Sequence, residues 1–485
     1  MHFSSKLRPN PRRLSLALAL LVPCAATAQE IAPTGGIDWP VLGRVAPRSA
    51  QEIASSPWSI GGETIDRDFT VYENYQKYLG PLGAKGIRLQ AGWAKCEKQP
   101  GVYDFAWLDR IIDDARAQGL QPWLELSYGN LIYAGGGGIG LADGFPSSSE
   151  ALQAWDRWVT ATVRRYRDRV HEWEIWNEPD INRTGAAKSD RYVELHLRTA
   201  TIIRALQPKS RIFALGLAGS VDYADQVLAG LAAKGKLDLV DAITIHGYPK
   251  NPDDTSAIDR LRAVIAKHGR AIEVRQGETG APSQRQENFA LSKLPWSETT
   301  QAKWDLRRLL AHRAKDVPMN LFTLSDMHYR NPDGTNLRMN YKGLLGTNPD
   351  QTVSHVKAAY RAAQTVFSIF DRRLTRLVDF PVTNNATRRL AANGYRHEAG
   401  AQLVALWFND TPPVEANQVT GVDITLTKGK FTEPVLIDVR TSMVYSLPKA
   451  SWSQAAGGAV FRALPLYDSP MLLAERAAIP LTRGR

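Results

Sequence analysis

Between residues 57 and 370, short apolar runs alternate with longer stretches whose apolar positions recur at helical spacing. The short runs predict strands at Trp58–Gly61, Gly86–Gln90, Gln121–Ser127, His171–Trp176, Arg211–Leu217, Asp241–His246, Ala271–Gly277 and Asn320–Asp326. The amphipathic stretches Trp107–Gln118, Ala151–Asp168, Asp190–Leu206, Ala257–His268 and Thr300–Lys315 predict helices between them. Eight βα units in about 310 residues have the size and rhythm of a (β/α)8 TIM barrel. A doubly wound parallel sheet shares the alternation, because alternation alone does not close a ring.

After a last helix at Val353–Phe370 the period drops to two. Leu403–Phe408, Val422–Leu426, Val435–Asp438, Val460–Leu464 and Met471–Ala474 read as antiparallel strands, separated by turn residues such as Asn409-Asp410 and Gly457-Gly458. The expected organisation is α/β: a barrel over 57–372 and a smaller β-sandwich over 373–485. The segment 29–56 has no partner of its own and is assigned to that sandwich. The tail Thr482–Arg485 is expected to fray.

Residues 1–28 stand outside this pattern. A basic start (Lys6, Arg8, Arg12, Arg13), the apolar run Leu14–Val22 and the small residues of Ala26-Thr27-Ala28 have the order of a secretory signal peptide. The expected destination is therefore the periplasm or the medium. Arg12-Arg13 fits a twin-arginine route as well as a general one, and Pro23 makes Cys24 a poor lipidation site. No later apolar run approaches the roughly 20 residues that span a bilayer, so no transmembrane segment is expected. The formal charge of +11 is spread along the chain without a dense Lys/Arg block. That argues against a nucleic-acid partner and leaves attraction to an anionic polysaccharide open. Removal of the leader leaves Cys96 as the sole cysteine, so no internal disulfide can form. Cys96 is expected to be a buried, inert thiol.

Two strand ends carry the chemistry. Trp173-Glu174-Ile175-Trp176-Asn177-Glu178-Pro179-Asp180 is an apolar strand stopped by a proline that cannot donate to a ladder. Ile272-Glu273-Val274-Arg275-Gln276-Gly277-Glu278-Thr279-Gly280 ends in Gly-Glu-x-Gly, where glycines permit close approach. These are the fourth and seventh strands, on opposite sides of an eight-stranded ring, and active sites lie at that C-terminal face. Two carboxylates about 5 Å apart would flank a glycosidic bond with retention, one protonated and one ionised.

Asn-Glu-Pro on the fourth strand and a Glu on the seventh resemble the signature of the large clan of retaining glycoside hydrolases. Within it the chain is most similar to glycoside hydrolase family 39, which includes β-xylosidases, α-L-iduronidases and exopolysaccharide glycosidases. Gly86-Ile87-Arg88-Leu89-Gln90 with Trp93, Gly101-Val102-Tyr103-Asp104-Phe105 and Asp241-Ala242-Ile243-Thr244-Ile245-His246-Gly247-Tyr248-Pro249 resemble further parts of it. The resemblance implies Glu178 as acid/base and Glu278 as nucleophile. It further implies Asn177 on the sugar 2-hydroxyl, Arg88 orienting Glu278, and His246 and Tyr248 framing the −1 sugar. A structural reading stands beside each: Arg88 as an interior ion pair, His246 and Tyr248 as satisfied core groups. Clan members often carry a tryptophan at the end of the eighth strand, where this chain has Leu321 to Tyr329 without one. Tyr329, or a residue of the third-strand loop, is expected to stack the sugar instead.

Tyr128 and Asn130, after the third strand, are candidate subsite residues, with a structural turn as the alternative. Gly135–Gly140 matches GxGxxG, but no helix follows and no acidic ribose partner is placed, so a dinucleotide site is discounted. It reads as a flexible loop beside the cleft with a chance of acting as a lid. Trp93, Trp107, Trp123, Trp173 and Trp176 suit sugar stacking or a core. No His cluster has metal-ligand spacing, and neither a metal nor another cofactor is expected. The expected function is a retaining glycosidase acting on an extracytoplasmic poly- or oligosaccharide. A carbohydrate-binding or assembly protein on a silent barrel, and a transglycosylase, are the alternatives. Sugar identity, endo or exo action and oligomeric state are not legible.

Overall fold

β1 (Val41–Val45) stands apart from the next eight strands, which close in chain order into a parallel barrel. These are β2 (Trp58–Gly61), β3 (Gly86–Gln90), β4 (Gln121–Leu126), β5 (Glu172–Ile175), β6 (Arg211–Leu217), β7 (Ala242–His246), β8 (Glu273–Thr279) and β9 (Met319–Leu321). The computed structural model describes residues 34–181, 188–331 and 333–482. The expected signal peptide and the last tail residues, 483–485, lie outside them. Closure is carried by parallel pairing of β9 with β2, Ser59 opposite Asn320, and this excludes a doubly wound sheet.

The barrel interior is filled by charge. Alternate positions of each strand point inward, and there Arg88, Glu125, Glu174 and Thr244 meet in one layer. Below it, Arg275 pairs with Glu172 at 2.9 Å and lies over the rings of Phe213 and Trp123, with centroids at 4.6 and 5.3 Å. Aliphatic side chains normally fill such barrels. Here the ring holds a polar column leading to its C-terminal mouth.

The chain after the barrel forms an eight-stranded and a four-stranded antiparallel sheet. Strand Gln402–Phe408 shows how they stack. Val404, Leu406 and Phe408 face the four-stranded sheet and pack with Val422, Ile424 and Phe461, while Leu403, Ala405 and Trp407 join the core of the barrel. The larger sheet is thus buried on both faces, which is why this strand reads as an unbroken apolar run. β1 adds to the same sheet, antiparallel to Met443–Ser446 and to Leu481–Thr482. Part of the tail expected to fray is therefore paired.

Three elements depart from the sequence pattern, the first being the eighth barrel strand, which was expected over Asn320–Asp326 and is confined to Met319–Leu321. Val353–Val356, expected to begin the last helix, is a strand paired with Leu345–Thr347, and the helix runs Ala358–Ile369. Helix Glu298–Arg313, expected to be amphipathic, is buried on nearly every side, Gln301, Lys303, Asp305 and Arg307 included. The cause is tertiary, because the barrel covers one face and the sheet domain the other. Lys303 gives its ammonium to Asp468 at 2.7 Å and to the carbonyls of Val414 and Ala416. Asp468→Ala would strand that buried cation and is expected to destabilise the chain by about 3–5 kcal/mol in urea unfolding.

Candidate active site

The site is built on strand ends at the C-terminal mouth. β5 stops at Ile175, and the next residues turn sharply. Trp176 and Glu178 both take left-handed backbone conformations, φ 69° and 49°, which side chains other than glycine rarely adopt. The surrounding structure holds this strain. The indole of Trp176 is buried against Phe145 and Tyr128, the amide of Glu178 donates to the Gly216 carbonyl at 2.8 Å, and Asp180 accepts from the amides of Ala218, Gly219 and Ser220. Across the mouth, Glu278 is the penultimate residue of β8 and Gly280 follows the strand. A Cβ at Gly280 would lie 2.0 Å from the carbonyl oxygen of Phe322, so only glycine lets the β8 end pass its neighbour.

Glu178 and Glu278 converge. One oxygen of each and one nitrogen of His246 lie within 4.8 Å of one another. His246 Nδ1 is 2.8 Å from Glu178 Oε1 and 3.6 Å from Glu278 Oε2. Tyr248 donates its hydroxyl to Glu278 Oε1 at 2.5 Å. Burial, reinforced by the charge of Asp180, pushes the Glu178 carboxyl up to about 8, with Arg88 opposing. Burial also lowers the His246 imidazole below its usual range, so a protonated carboxyl faces a neutral ring at neutral pH.

Arg88 lies beneath the pair, fully buried. Its Nε donates to Glu174 at 2.7 Å and its Nη1 to Glu63 at 2.8 Å and, more distantly, to Glu278 at 3.4 Å. Its Nη2 donates to Glu125 and, at 2.9 Å, to Asn177 Oδ1. Both readings of Arg88 therefore meet in one side chain, an interior ion-pair centre that also touches Glu278. Burial pushes Glu125 up to about 8 and Glu63 well above the carboxylate range, in each case against the pull of Arg88. Asn177 gives one amide hydrogen to the Tyr128 hydroxyl at 2.8 Å, leaving the second for a ligand.

The other expected residues divide. Tyr329 is half-buried between Phe69 and Phe289, with ring centroids at 4.8 Å from each, close enough to feel the charges of Glu278 and Glu178. Tyr128 lies under the Arg67 guanidinium, 4.8 Å from its centroid. Trp93 does not reach the cleft. It is completely buried, stacked on Tyr133 and Trp158, and donates to Glu97 at 2.6 Å. Asn130 is a turn residue that donates to the Glu97 carbonyl and accepts from the Ile132 amide. The Gly135–Gly140 segment, expected as a flexible loop, has its backbone hydrogen-bonded to Gly129, Asn130 and Ser147. A Cβ on Gly136 would sit 2.0 Å from the Asn130 carbonyl. Cys96 is buried 3.2 Å from the Ala91 carbonyl, and burial raises its thiol.

Glu63, Arg67, Glu125, Glu174 and Lys342 were not singled out from the sequence. Lys342 is buried above the rings of Tyr248 and Phe289, and burial lowers its ammonium to about 7. A signal existed for Glu125 and Glu174. Each interrupts an apolar strand at the same inward phase as Arg88, where an unpaired charge could not be buried. Glu63, Arg67 and Lys342 come from loops, where no period marks the inward side.

The model of the family described as glycosyl hydrolases family 39 matches residues 90–284. The chain resembles the glycosyl hydrolases of family 39. The match holds Glu178, Glu278, Asn177, His246 and Tyr248, and leaves Glu63, Arg88, Tyr329 and the sheet domain outside it. A β-xylosidase of Geobacillus stearothermophilus is 23% identical over 155 residues, 30% of this chain and 31% of that one. The chain thus matches only about a third of that relative's length. Among solved structures, a family 39 glycoside hydrolase from Bacteroides cellulosilyticus superposes with a TM-score of 0.64 at 18% identity, covering 89% of this chain and 83% of that one. A monomeric β-xylosidase from Caulobacter crescentus gives 0.59 at 16%, covering 89% and 97%. These similarities support a glycoside hydrolase.

The raised Glu178 carboxyl has a stability consequence. Its folded-state affinity for the proton exceeds that of the unfolded chain, so its stabilising contribution is complete below about 4.5 and is lost as pH climbs to about 8. Glu178→Gln, neutral throughout, is expected to melt above the wild type by a margin that widens from pH 4.5 to pH 8. A constant margin in thermal melts across that range would count against the shift.

Proposed function

We propose that this chain is a retaining glycoside hydrolase that cleaves an O-glycosidic bond of a poly- or oligosaccharide by double displacement. The observation that carries the reading is the convergence of Glu178 and Glu278 within 4.8 Å, close to the roughly 5–5.5 Å that leaves no room for a water between nucleophile and anomeric carbon. Glu178, protonated up to about 8, gives its proton to the leaving oxygen while Glu278 attacks the anomeric carbon and displaces it. Glu178, now ionised, takes a proton from water, whose oxygen attacks the same carbon and releases Glu278. Tyr248 and Arg88 hold the Glu278 carboxylate through hydrogen bonds, which orients it for attack. The free amide hydrogen of Asn177 meets the 2-hydroxyl, a contact that strengthens as positive charge develops on the ring.

The relatives named β-xylosidase make a β-linked pyranoside the first substrate to try. The leader-like residues 1–28 direct the proposal to a saccharide outside the cytoplasm, and bacterial exopolysaccharide is the natural polymeric candidate. Glu178, His246 and Glu278 also form a donor set that a divalent cation could take, but such an ion would occupy both reacting carboxylates. EDTA is therefore expected to leave the rate unchanged.

The test is turnover of aryl β-glycosides and bacterial exopolysaccharides by the wild type, Glu178→Gln and Glu278→Gln. Glu278→Gln is expected to lose on the order of 10⁴-fold or more in kcat. Glu178→Gln should recover on activated aryl substrates when azide is added, yielding a glycosyl azide of retained configuration. In the wild type kcat/KM is expected to fall as pH rises through about 8, the limb on which Glu178 loses its proton. Unchanged activity in either variant would remove the site assignment. A wild type that binds the saccharides and turns none of them over would move the reading to a binding protein on a silent barrel.

A further inference from the structure

The loop Gly247–Thr255 after β7 carries Tyr248, and it has little internal structure of its own. Pro249 and Pro252 remove two backbone donors. Near Tyr248 the loop is tied to β8, with the Gly247 amide donating to the Glu278 carbonyl at 3.2 Å. Farther out it is held from outside. From helix Glu298–Arg313, Trp304 donates to the Pro249 carbonyl, Arg308 to the carbonyls of Pro252 and Asp254, and Arg307 to Asn251 and Asp253. The remaining ties come from the sheet domain. Trp407, on strand Gln402–Phe408, donates its indole N–H to Asp253 Oδ1 at 2.7 Å, and Asn251 donates to the Asn409 carbonyl at 3.2 Å.

Asp253 therefore divides its carboxylate between the two bodies that meet at this loop. Oδ2 is taken by the Arg307 guanidinium at 2.7 Å and Oδ1 by Trp407. Arg307 is completely buried and Trp407 is 1% exposed, so water does not replace either partner. Trp407 also occupies the barrel-facing phase of its strand, with Leu403 and Ala405, and cannot turn away without leaving that core. A phenol at the end of a long side chain moves further than the backbone beneath it, and the hydroxyl of Tyr248 must stay within hydrogen-bond reach of Glu278.

We propose that Trp407 is a positioning residue through which the sheet domain, by way of Asp253, fixes the Tyr248 loop and thereby the orientation of Glu278. The inference rests on the glycosidase reading for its kinetic consequence and on the loop contacts alone for its structural one. Both are tested on the full chain with Trp407→Phe, which keeps the ring and removes the N–H. Hydrogen–deuterium exchange of the amides in 247–255 is expected to quicken while the barrel strands keep their protection. On an aryl β-xyloside, kcat is expected to fall about five- to ten-fold with KM changed less than about two-fold, the mark of a group displaced in the transition state. In a Tyr248→Phe background the same substitution should cost nothing further, because the group it positions is gone. Unaltered exchange in 247–255, or an equal fold loss in both backgrounds, would overturn the inference. If Trp407→Phe does not fold, Asp253→Ala, which removes the acceptor that Trp407 uses, runs the same cycle with the same criteria, and its effect must exceed that of Asp253→Asn, which loses the ion pair with Arg307 but keeps that acceptor. A wild type silent on every glycoside would sink the glycosidase reading instead, and the exchange experiment would still decide this one.

Discussion

A single guanidinium, Arg88, sits at the centre of the barrel with no access to water and with four carboxylates around it. Removing a cation from water costs several kcal/mol unless good partners replace the solvent, and each of these carboxylates carries the same debt. The arrangement persists because the five groups satisfy one another. Arg88 donates from all three of its nitrogens, and Ser127, Trp123 and Thr244 supply further donors to the carboxylates it holds. One positive charge cannot balance four negative ones. Burial therefore pushes Glu63 and Glu125 upward, towards holding protons, while Arg88 anchors the rest.

The division of labour at the mouth follows from this column. Glu278 shares Arg88 with Glu63 and receives Tyr248, so its oxygens are held by donors. Glu178 has the neutral His246 and the charge of Asp180 near it, and burial keeps it protonated. What lies behind the two side chains thus differs: burial pushes Glu178 towards holding its proton, while Glu278 is held by hydrogen-bond donors, an asymmetry of the kind that paired acid and nucleophile chemistry uses. The left-handed backbone at Trp176 and Glu178 belongs to the same design. It turns the end of β5 inward, and its cost is borne by the buried indole and by Asp180.

The sheet domain takes part in this order. It buries the outer face of helix Glu298–Arg313, reaches that helix through the Lys303–Asp468 ion pair, and meets the loop after β7. A helix that would otherwise show a polar stripe to solvent can consequently bury Lys303, Arg307 and Arg308. The barrel and the sheets form one packed body in which the second layer stiffens an element of the first.

The sequence by itself determined the succession of strands and helices through the barrel and the chemistry-bearing strand ends. Periodicity marked seven of the eight barrel strands to within two residues at either end, and of the eighth only its start, because a strand buried on both faces must read as a short apolar run. Asn177-Glu178-Pro179 and Gly277-Glu278 were legible because proline and glycine record where a strand must stop or pass close to a neighbour. What the tertiary structure alone decided was which side chains meet. Trp93, legible as a platform, is core, since a residue following a strand end can turn either way and sequence does not say which. The Gly135–Gly140 loop, legible as flexible, is hydrogen-bonded through its backbone to Gly129, Asn130 and Ser147, since glycine permits close backbone approach as readily as motion. Glu63, Arg67 and Lys342 enter from loops whose direction no period encodes, and their protonation is set by burial and neighbouring charge. Those quantities exist only once distant segments are packed together, and for that reason the balance of charge around Arg88 could not be read along the chain.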